Sequence, residues 1–308
     1  MKVRRDSEVK SPPARRPEDI RVVPVRRLGE WVGVGVVGVL TAMFVHAVVA
    51  NPAFEWPVVW DVLWDSTVLE GLQITLVLTV ASMAIGCVGG LLLTLMRLTR
   101  SRVLSGAAWA YIWAFRGTPV LVQLFFWTFL GALWPRISIG IPFGPAFYSW
   151  SYNDLVPLEA AALLGLGLNE AAYMAEIVRA GVLSVDRGQS EAAFSLGMTH
   201  RQAMRRITLP QAMRVIIPPT GNEVIGMLKI TSLVSAISLV DLTRAAQDLA
   251  SRTFQSLPSL IAISIWYLTC TSLLTIGQYH IERRFARGSR AADPVGRRRI
   301  GFSFPGWH

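Results

Sequence analysis

The sequence predicts an all-α, polytopic transmembrane helical bundle of about six spans, and three observations carry that expectation. Hydrophobic residues make up 52% of the chain and charged residues 16%, well under the roughly one quarter charged that is usual in soluble domains. Six runs are apolar enough to cross a hydrocarbon core of about 30 Å, which takes about 20 helical residues. Lysine and arginine, finally, fall almost entirely between alternate runs.

The runs cover residues 31–50, 69–96, 119–133, 155–178, 219–240 and 257–279. The first follows a basic stretch but exceeds the 7–15 residue apolar core of a signal peptide, so it is read as a retained extra helix. Cleavage after Ala50 would leave the orientation of the other five unchanged. The second holds Gly86, Gly89 and Gly90, small residues that let helices approach closely. The third is the shortest. Thr118 and Pro119 supply it with an N-cap and a first helical position, and Trp109, Tyr111, Trp113 and Phe115 before it suit the lipid interface. The fourth run carries Asn169 and Glu170, and the fifth carries Asn222 and Lys229.

Orientation follows from the basic residues between runs. Of the 30 lysines and arginines, 26 lie on one side: nine before residue 28, four in 97–117, six in 179–214 and seven after 279. Three lie on the other side, and Lys229 lies inside a run. This asymmetry predicts a multi-pass protein of the cell (cytoplasmic) membrane with both termini cytoplasmic. Residues 1–30 and 288–308 read as basic cytoplasmic tails, the first rich in Pro, Arg and acids and therefore disordered.

Composition also excludes several function classes. The formal charge is +10, but the arginines sit between apolar runs and suit anionic membrane lipid; nucleic acid would need a basic face with interleaved aromatics on a folded domain. Cys87 and Cys270 lack CxxC spacing, and His46, His200, His280 and His308 are scattered without metal spacing. No polar groups converge on a catalytic constellation. None of the three lysines stands in a Gly-x-x-x-x-Gly-Lys phosphate loop, so the chain is expected to bind no cofactor and to leave ATP to another chain.

Between the fourth and fifth runs lies EAAFSLGMTHRQAMRRITLP, residues 191–210. Residues 190–196 suit a short helix in which Ala192 and Ala193 leave the backbone open to close approach, and Gly197 suits a left-handed cap that ends it. Thr199 followed by Gln202 fits a capping box for a second helix, which Pro210, lacking an amide hydrogen, is expected to end. On physical grounds alone this elbow could rest on lipid headgroups or meet a cytosolic partner.

The same stretch resembles the "EAA" loop of ABC-transporter permeases: Glu191, Ala192, Ala193, Gly197, Ile207, Leu209 and Pro210 stand at that family's spacing. FRGTPVLVQLF (115–125), AAYMAEIVRAGVLSVDRGQSEAA (171–193), NEVIGMLKITSL (222–233) and IERR (281–284) resemble its polar amino-acid uptake branch. The resemblance implies a type I importer permease core over 69–287 with a cytoplasmic coupling loop at 186–210. It also implies a second permease subunit, identical or homologous, a cytosolic ATP-binding-cassette ATPase dimer, and an extracytoplasmic solute-binding protein. Glu191, Ala192, Ala193, Gly197, Leu209 and Pro210 would then form the coupling helix that receives the ATPase stroke. The amino-terminal tail and first run depart from the family pattern, as does Ile230 after Lys229, where relatives often carry a polar residue.

Ionisable groups inside a membrane are costly and mark a pathway or a partner. Counting 1.5 Å per residue from the ends of the runs puts Glu170 and Lys229 at similar depth. Either they pair to lock two helices, or, with Asn169 and Asn222, they line a path for a small zwitterion. An ion-coupled secondary carrier, with Glu170 as proton relay, is the alternative to an ATP-driven importer.

Overall fold

The computed structural model describes residues 28–141 and 145–286; the predicted tails therefore lie almost wholly outside the described residues. The chain divides into two units, residues 1–54 and 55–308. In the first, α1 (Leu28–Ala50) is 23 residues of nearly unbroken apolar sequence, about 35 Å of helix and long enough to span. A short 3-10 turn, Pro52–Phe54, follows it.

The second unit opens with α2 (Trp56–Leu63) and α3 (Ser66–Leu98). Asp65 caps α3 by accepting from the Thr67 amide at 2.8 Å, which satisfies one of the free donors of a helix start. α3 turns through Thr99–Ser101 into α4 (Arg102–Gly117), and α5 (Val120–Leu133) continues after a break at Thr118–Pro119. Pro119 is the N-cap rather than the first helical residue, and Thr118 ends α4, donating its hydroxyl to the Ala114 carbonyl at 2.9 Å. Two strands, β1 (Arg136–Gly140) and β2 (Ala146–Ser151), pair antiparallel and lead through the single turn α6 (Tyr152–Leu155) into α7 (Leu158–Leu183). This hairpin is an addition to the helical architecture that the sequence reading left as a connector.

Beyond α7 come α8 (Arg187–Ser195), α9 (His200–Ala203), a π-helical turn Met204–Thr208, and α10 (Leu209–Ile230). A 3-10 segment, Thr231–Ile237, bends the chain into α11 (Leu242–Thr253), and α12 (Ser256–Ala286) closes the unit. By length and composition four helices among the described residues can cross a membrane, α1, α3, α7 and α12, or five if the pair from His200 to Thr253, bent by 48°, is one broken span rather than a re-entrant loop. α5, at 14 residues, is apolar but short, which matches its place as the least complete of the six expected spans. The fifth expected span differs in its start: α10 begins at Leu209 and carries Pro218 and Pro219 within it, where the sequence reading began the span at residue 219.

α7 is the central helix. Twelve of its residues are buried, among them Gly165, Gly167, Asn169 and Glu170. α3 reaches it through the predicted glycines: a side chain at Gly86 would meet Glu170, one at Gly89 the Ala171 methyl, and one at Gly90 Met174. Thr94 then pins the pair by donating to the Ala175 carbonyl at 2.9 Å. Leu78, Met83, Leu124, Leu166, Met174, Met227 and Val234 form the main apolar core around this axis.

A stiff elbow and a polar interior as candidate functional sites

The elbow is built as the sequence indicates, save that α8 starts at Arg187 rather than at residue 190, and with one larger change. Asp186 caps α8 by accepting from the Gly188 amide at 2.6 Å. Gly197 has φ +80°, and the Gly197 and Met198 amides donate to the Phe194 and Ala193 carbonyls at 2.9 and 3.0 Å. That reciprocal pattern is a Schellman closure, which ends a helix while satisfying its last carbonyls. Thr199 and Gln202 form the capping box, Gln202 Oε1 accepting from the Thr199 amide at 2.8 Å and Thr199 Oγ1 accepting from the Gln202 amide at 3.3 Å. The change concerns Pro210. It does not end the second helix; it sits in the first turn of α10, and the π turn before it carries the chain through. A proline has no N–H for the carbonyl four residues back and its ring crowds that carbonyl; widening the preceding turn relieves both demands.

The side chains of the elbow divide by direction. Ala193 is buried, as are Ala203, Thr208 and Ala212, so these residues pack the elbow and its root. Glu191, Ala192, Leu209 and Pro210 are exposed, and Phe194 and Leu196 present 44% and 80% of their surface. Of the alanine pair, only Ala192 is therefore open to approach. A surface that shows a carboxylate flanked by uncovered Phe and Leu, held by two closed caps, is suited to be gripped by another protein.

The second polar region lies inside the bundle at mid-α7. Asn169 Nδ2 donates to the Phe115 carbonyl at 2.9 Å, and Gln123 Nε2 to the same carbonyl at 2.8 Å and to the Thr118 hydroxyl at 2.8 Å. The Tyr111 hydroxyl donates to the Leu168 carbonyl at 2.8 Å. These bonds draw the α4–α5 break against the middle of α7. Arg116, counted by the sequence reading among the cytoplasmic basic residues, consequently lies over the Tyr173 ring, 5.2 Å from its centroid. Tyr173 stands ten residues before the end of α7, about 15 Å along the helix from that end, and Arg116 and Tyr173 are both exposed on this flank of α7.

Glu170 is 3% exposed, and its Oε1 has no protein hydrogen-bond partner. Glu170 lies within Coulombic reach of Glu223 on α10, and Glu223 within reach of Arg116. Lys229 is exposed and forms no ion pair with Glu170 among the described residues. Because α10 starts at Leu209, Lys229 lies about 30 Å from that start and about 9 Å beyond Glu223; the expected equal depth of Glu170 and Lys229 belongs instead to Glu170 and Glu223. Asn222 is exposed toward α12, its Oδ1 accepting from Gln278 Nε2 at 3.0 Å. Of the four path candidates, then, Asn169 and Glu170 sit side by side in the interior, while Asn222 and Lys229 open to the surface of α10. Half-buried Glu223 joins the interior pair without having been expected, and exposed Arg116 lies beside them. Glu223 was visible as an acid within an apolar run, and Arg116 as a cation just before a Gly-Thr-Pro helix break.

Comparison with known proteins decides the family. Residues 86–287 match the model of the binding-protein-dependent transport system inner membrane component. The chain belongs to that family. It is 44% identical over 275 residues to the arginine transport system permease protein ArgU of Corynebacterium glutamicum, covering 89% of this chain and 85% of that one. It is 32% identical to the glutamine transport system permease protein GlnP of Escherichia coli K12, over 75% of this chain and 97% of GlnP. Among solved structures it resembles an amino acid ABC transporter crystallised with histidines, at 37% identity and a TM-score of 0.61, over 71% of this chain and 94% of the other. Family membership makes this permease a multi-pass membrane transport subunit, not an enzyme, with ATP hydrolysis on a separate subunit. It also removes the ion-coupled carrier as an alternative, since the family works with a binding protein.

Proposed function

We propose that this permease imports a basic amino acid, taking it up from an extracytoplasmic solute-binding protein and releasing it to the cytoplasm by alternating access. The observation that carries the substrate class is the charge set beside mid-α7: buried Glu170, half-buried Glu223 on α10, and the exposed guanidinium of Arg116 over the Tyr173 ring. A basic amino acid carries two cationic groups and one carboxylate, the complement of that set. Replacing lost hydration by fixed charges and dipoles is what a polar solute needs at mid-membrane. Asn169 supports the Phe115 carbonyl beside the path, and Asn222 and Lys229 stand along α10 where the solute enters or leaves. The 44% identity to an arginine permease supports the same class.

In this reading the driving stroke enters at the elbow. Glu191, Ala192 and Leu196 seat in a cleft of a cytosolic ATPase dimer, while Ala193, Gly197, Leu209 and Pro210 keep the elbow and α10 one stiff lever. α10 bears Glu223, so displacement of its root moves one wall of the polar interior relative to α7. A second permease subunit, identical or homologous, supplies the other half of the path.

Uptake by proteoliposomes holding the complete transporter tests the substrate class. Glu170→Gln and Glu223→Gln are each expected to lower arginine uptake about tenfold or more, the loss of one charge-assisted bond worth about 1.5–3 kcal/mol, while basal ATP turnover persists. Arginine uptake unchanged in both variants would reject the substrate assignment.

A further inference from the structure

The β1–β2 hairpin is two-faced. Directly opposed residues of an antiparallel pair share a face, and the register sets Ile137 against Trp150 and Ile139 against Tyr148. That face is wholly aliphatic and aromatic, with Ile139, Tyr148 and Trp150 exposed by 61%, 67% and 44% and the Tyr148 and Trp150 rings stacked at 5.9 Å. The other face sets Ser138 against Ser149, their hydroxyls 3.1 Å apart, and Arg136 against Ser151, with Phe147, 64% exposed, unpaired at the register shift beyond Ser149. Its single charge, Arg136, thus points away from the aromatic side. An isolated two-stranded hairpin is marginal in water, and a bare aromatic face of this kind calls for cover.

The roots of the hairpin fix where that cover lies. Tyr152, just after β2, donates its hydroxyl to the Trp127 carbonyl at 2.7 Å, and Gly131 abuts Tyr152 and Asn153. The end of α5 is therefore level with the start of α7, the end remote from the elbow. α7 is 26 residues, about 39 Å, and overhangs a core of about 30 Å, so its first turn stands at the membrane boundary and the hairpin emerges there. The exposed apolar flank of α5, with Phe126, Phe129 and Leu133, runs on through Trp134 into the aromatic face. Tyr and Trp beside aliphatic residues, without an acid, match the headgroup–acyl boundary.

We propose that the β1–β2 hairpin lies flat on the phospholipid surface at the end of the bundle remote from the elbow, with Ile137, Ile139, Tyr148 and Trp150 in lipid and Ser138 and Ser149 in water. It anchors the α5–α7 connection to the bilayer and so holds the outer ends of α5 and α7 at fixed depth.

The test uses the complete transporter in nanodiscs of phosphatidylethanolamine and phosphatidylglycerol. In a Cys87→Ser, Cys270→Ser background, spin labels are placed singly at Tyr148→Cys, Ser149→Cys and Trp150→Cys. Collision with oxygen, enriched in lipid, and with a water-soluble nickel chelate should alternate, residues 148 and 150 lipid-exposed and residue 149 water-exposed. Equal water exposure at all three positions overturns the proposal by showing a hairpin standing in solvent. Shielding of 148 and 150 from both reagents also overturns it, pointing to a second permease copy, or to the binding protein if shielding appears only when that protein is added. Should labelling disturb the hairpin, the conservative Trp150→Phe variant gives an independent reading: removing Trp150 should reduce the share of tryptophan emission quenched by brominated lipid, and an unchanged share counts against the anchor.

Discussion

The elbow and the polar interior of this permease treat their hydrogen-bonding groups in opposite ways. At the elbow the helix ends are closed locally: Asp186 on the Gly188 amide, the Gly197 and Met198 amides on the carbonyls behind them, and Thr199 and Gln202 on each other. In the interior, Glu170 Oε1 and Gln123 Oε1 are buried without a protein partner, and among the described residues no ion pair joins half-buried Glu223 to exposed Arg116. A segment that satisfies itself holds its shape when pushed, whereas a region with unspent charge is set to bind. The difference separates a transmitting part from a receiving one, and α10 joins the two because it is rooted in the elbow and carries Glu223.

That comparison can be broken most forcefully at the α3–α7 contact. A Cβ at Gly86 would collide with the Glu170 side chain, so Gly86→Val forces either the helices apart or Glu170 out of its site. Overpacking of this kind costs about 1–3 kcal/mol, occasionally more. The expected result is a lower melting temperature of the purified complex together with loss of arginine uptake. A Gly86→Val transporter that melts and transports like the parent would show that the close approach does not hold Glu170 in place. A smaller effect is expected at the elbow. Gly197→Val places a β-branched residue at φ +80°, at a cost of about 1–2 kcal/mol, and should loosen the closure without disturbing the interior. Gly197→Asn, tolerated in the left-handed region, should restore most of the coupling. Coupling is read as uptake per ATP hydrolysed; equal coupling in Gly197→Val and parent would deny the elbow its stiffness.

How much of this was legible in the sequence depends on how local the determining physics is. Helix caps are set by residues within three or four positions of one another, so Gly197 and the Thr199–Gln202 box could be read directly, and the glycines of α3 announced a close contact without naming its partner. Charge asymmetry likewise gives an expectation of which side the arginines share. A count between apolar runs cannot see that Asn169 and Gln123 bond the α4–α5 break to the middle of α7, which brings Arg116 over Tyr173. Depth failed for Lys229 because the fifth run was taken to begin at residue 219, yet α10 tolerates Pro218 and Pro219 and begins ten residues earlier. The hairpin escaped because Ile137 and Ile139, alternating with Arg136 and Ser138, form too short a pattern to stand out beside six long apolar runs. Glu170 itself was visible as a costly intramembrane charge, but Glu223, an acid in an apolar run, became evident as its neighbour only once the antiparallel packing of α7 and α10 was fixed.

The central claim is that the elbow seats in the ATPase and passes its stroke to α10. Single cysteines at Glu191 and Leu196, in a transporter otherwise free of cysteine in this chain, can be crosslinked to cysteines placed around the cleft of the ATPase subunit. The account predicts crosslinks at both positions whose yield changes between the nucleotide-free and ATP-bound states. Absence of any crosslink to the ATPase in a transporter that still imports arginine would contradict it.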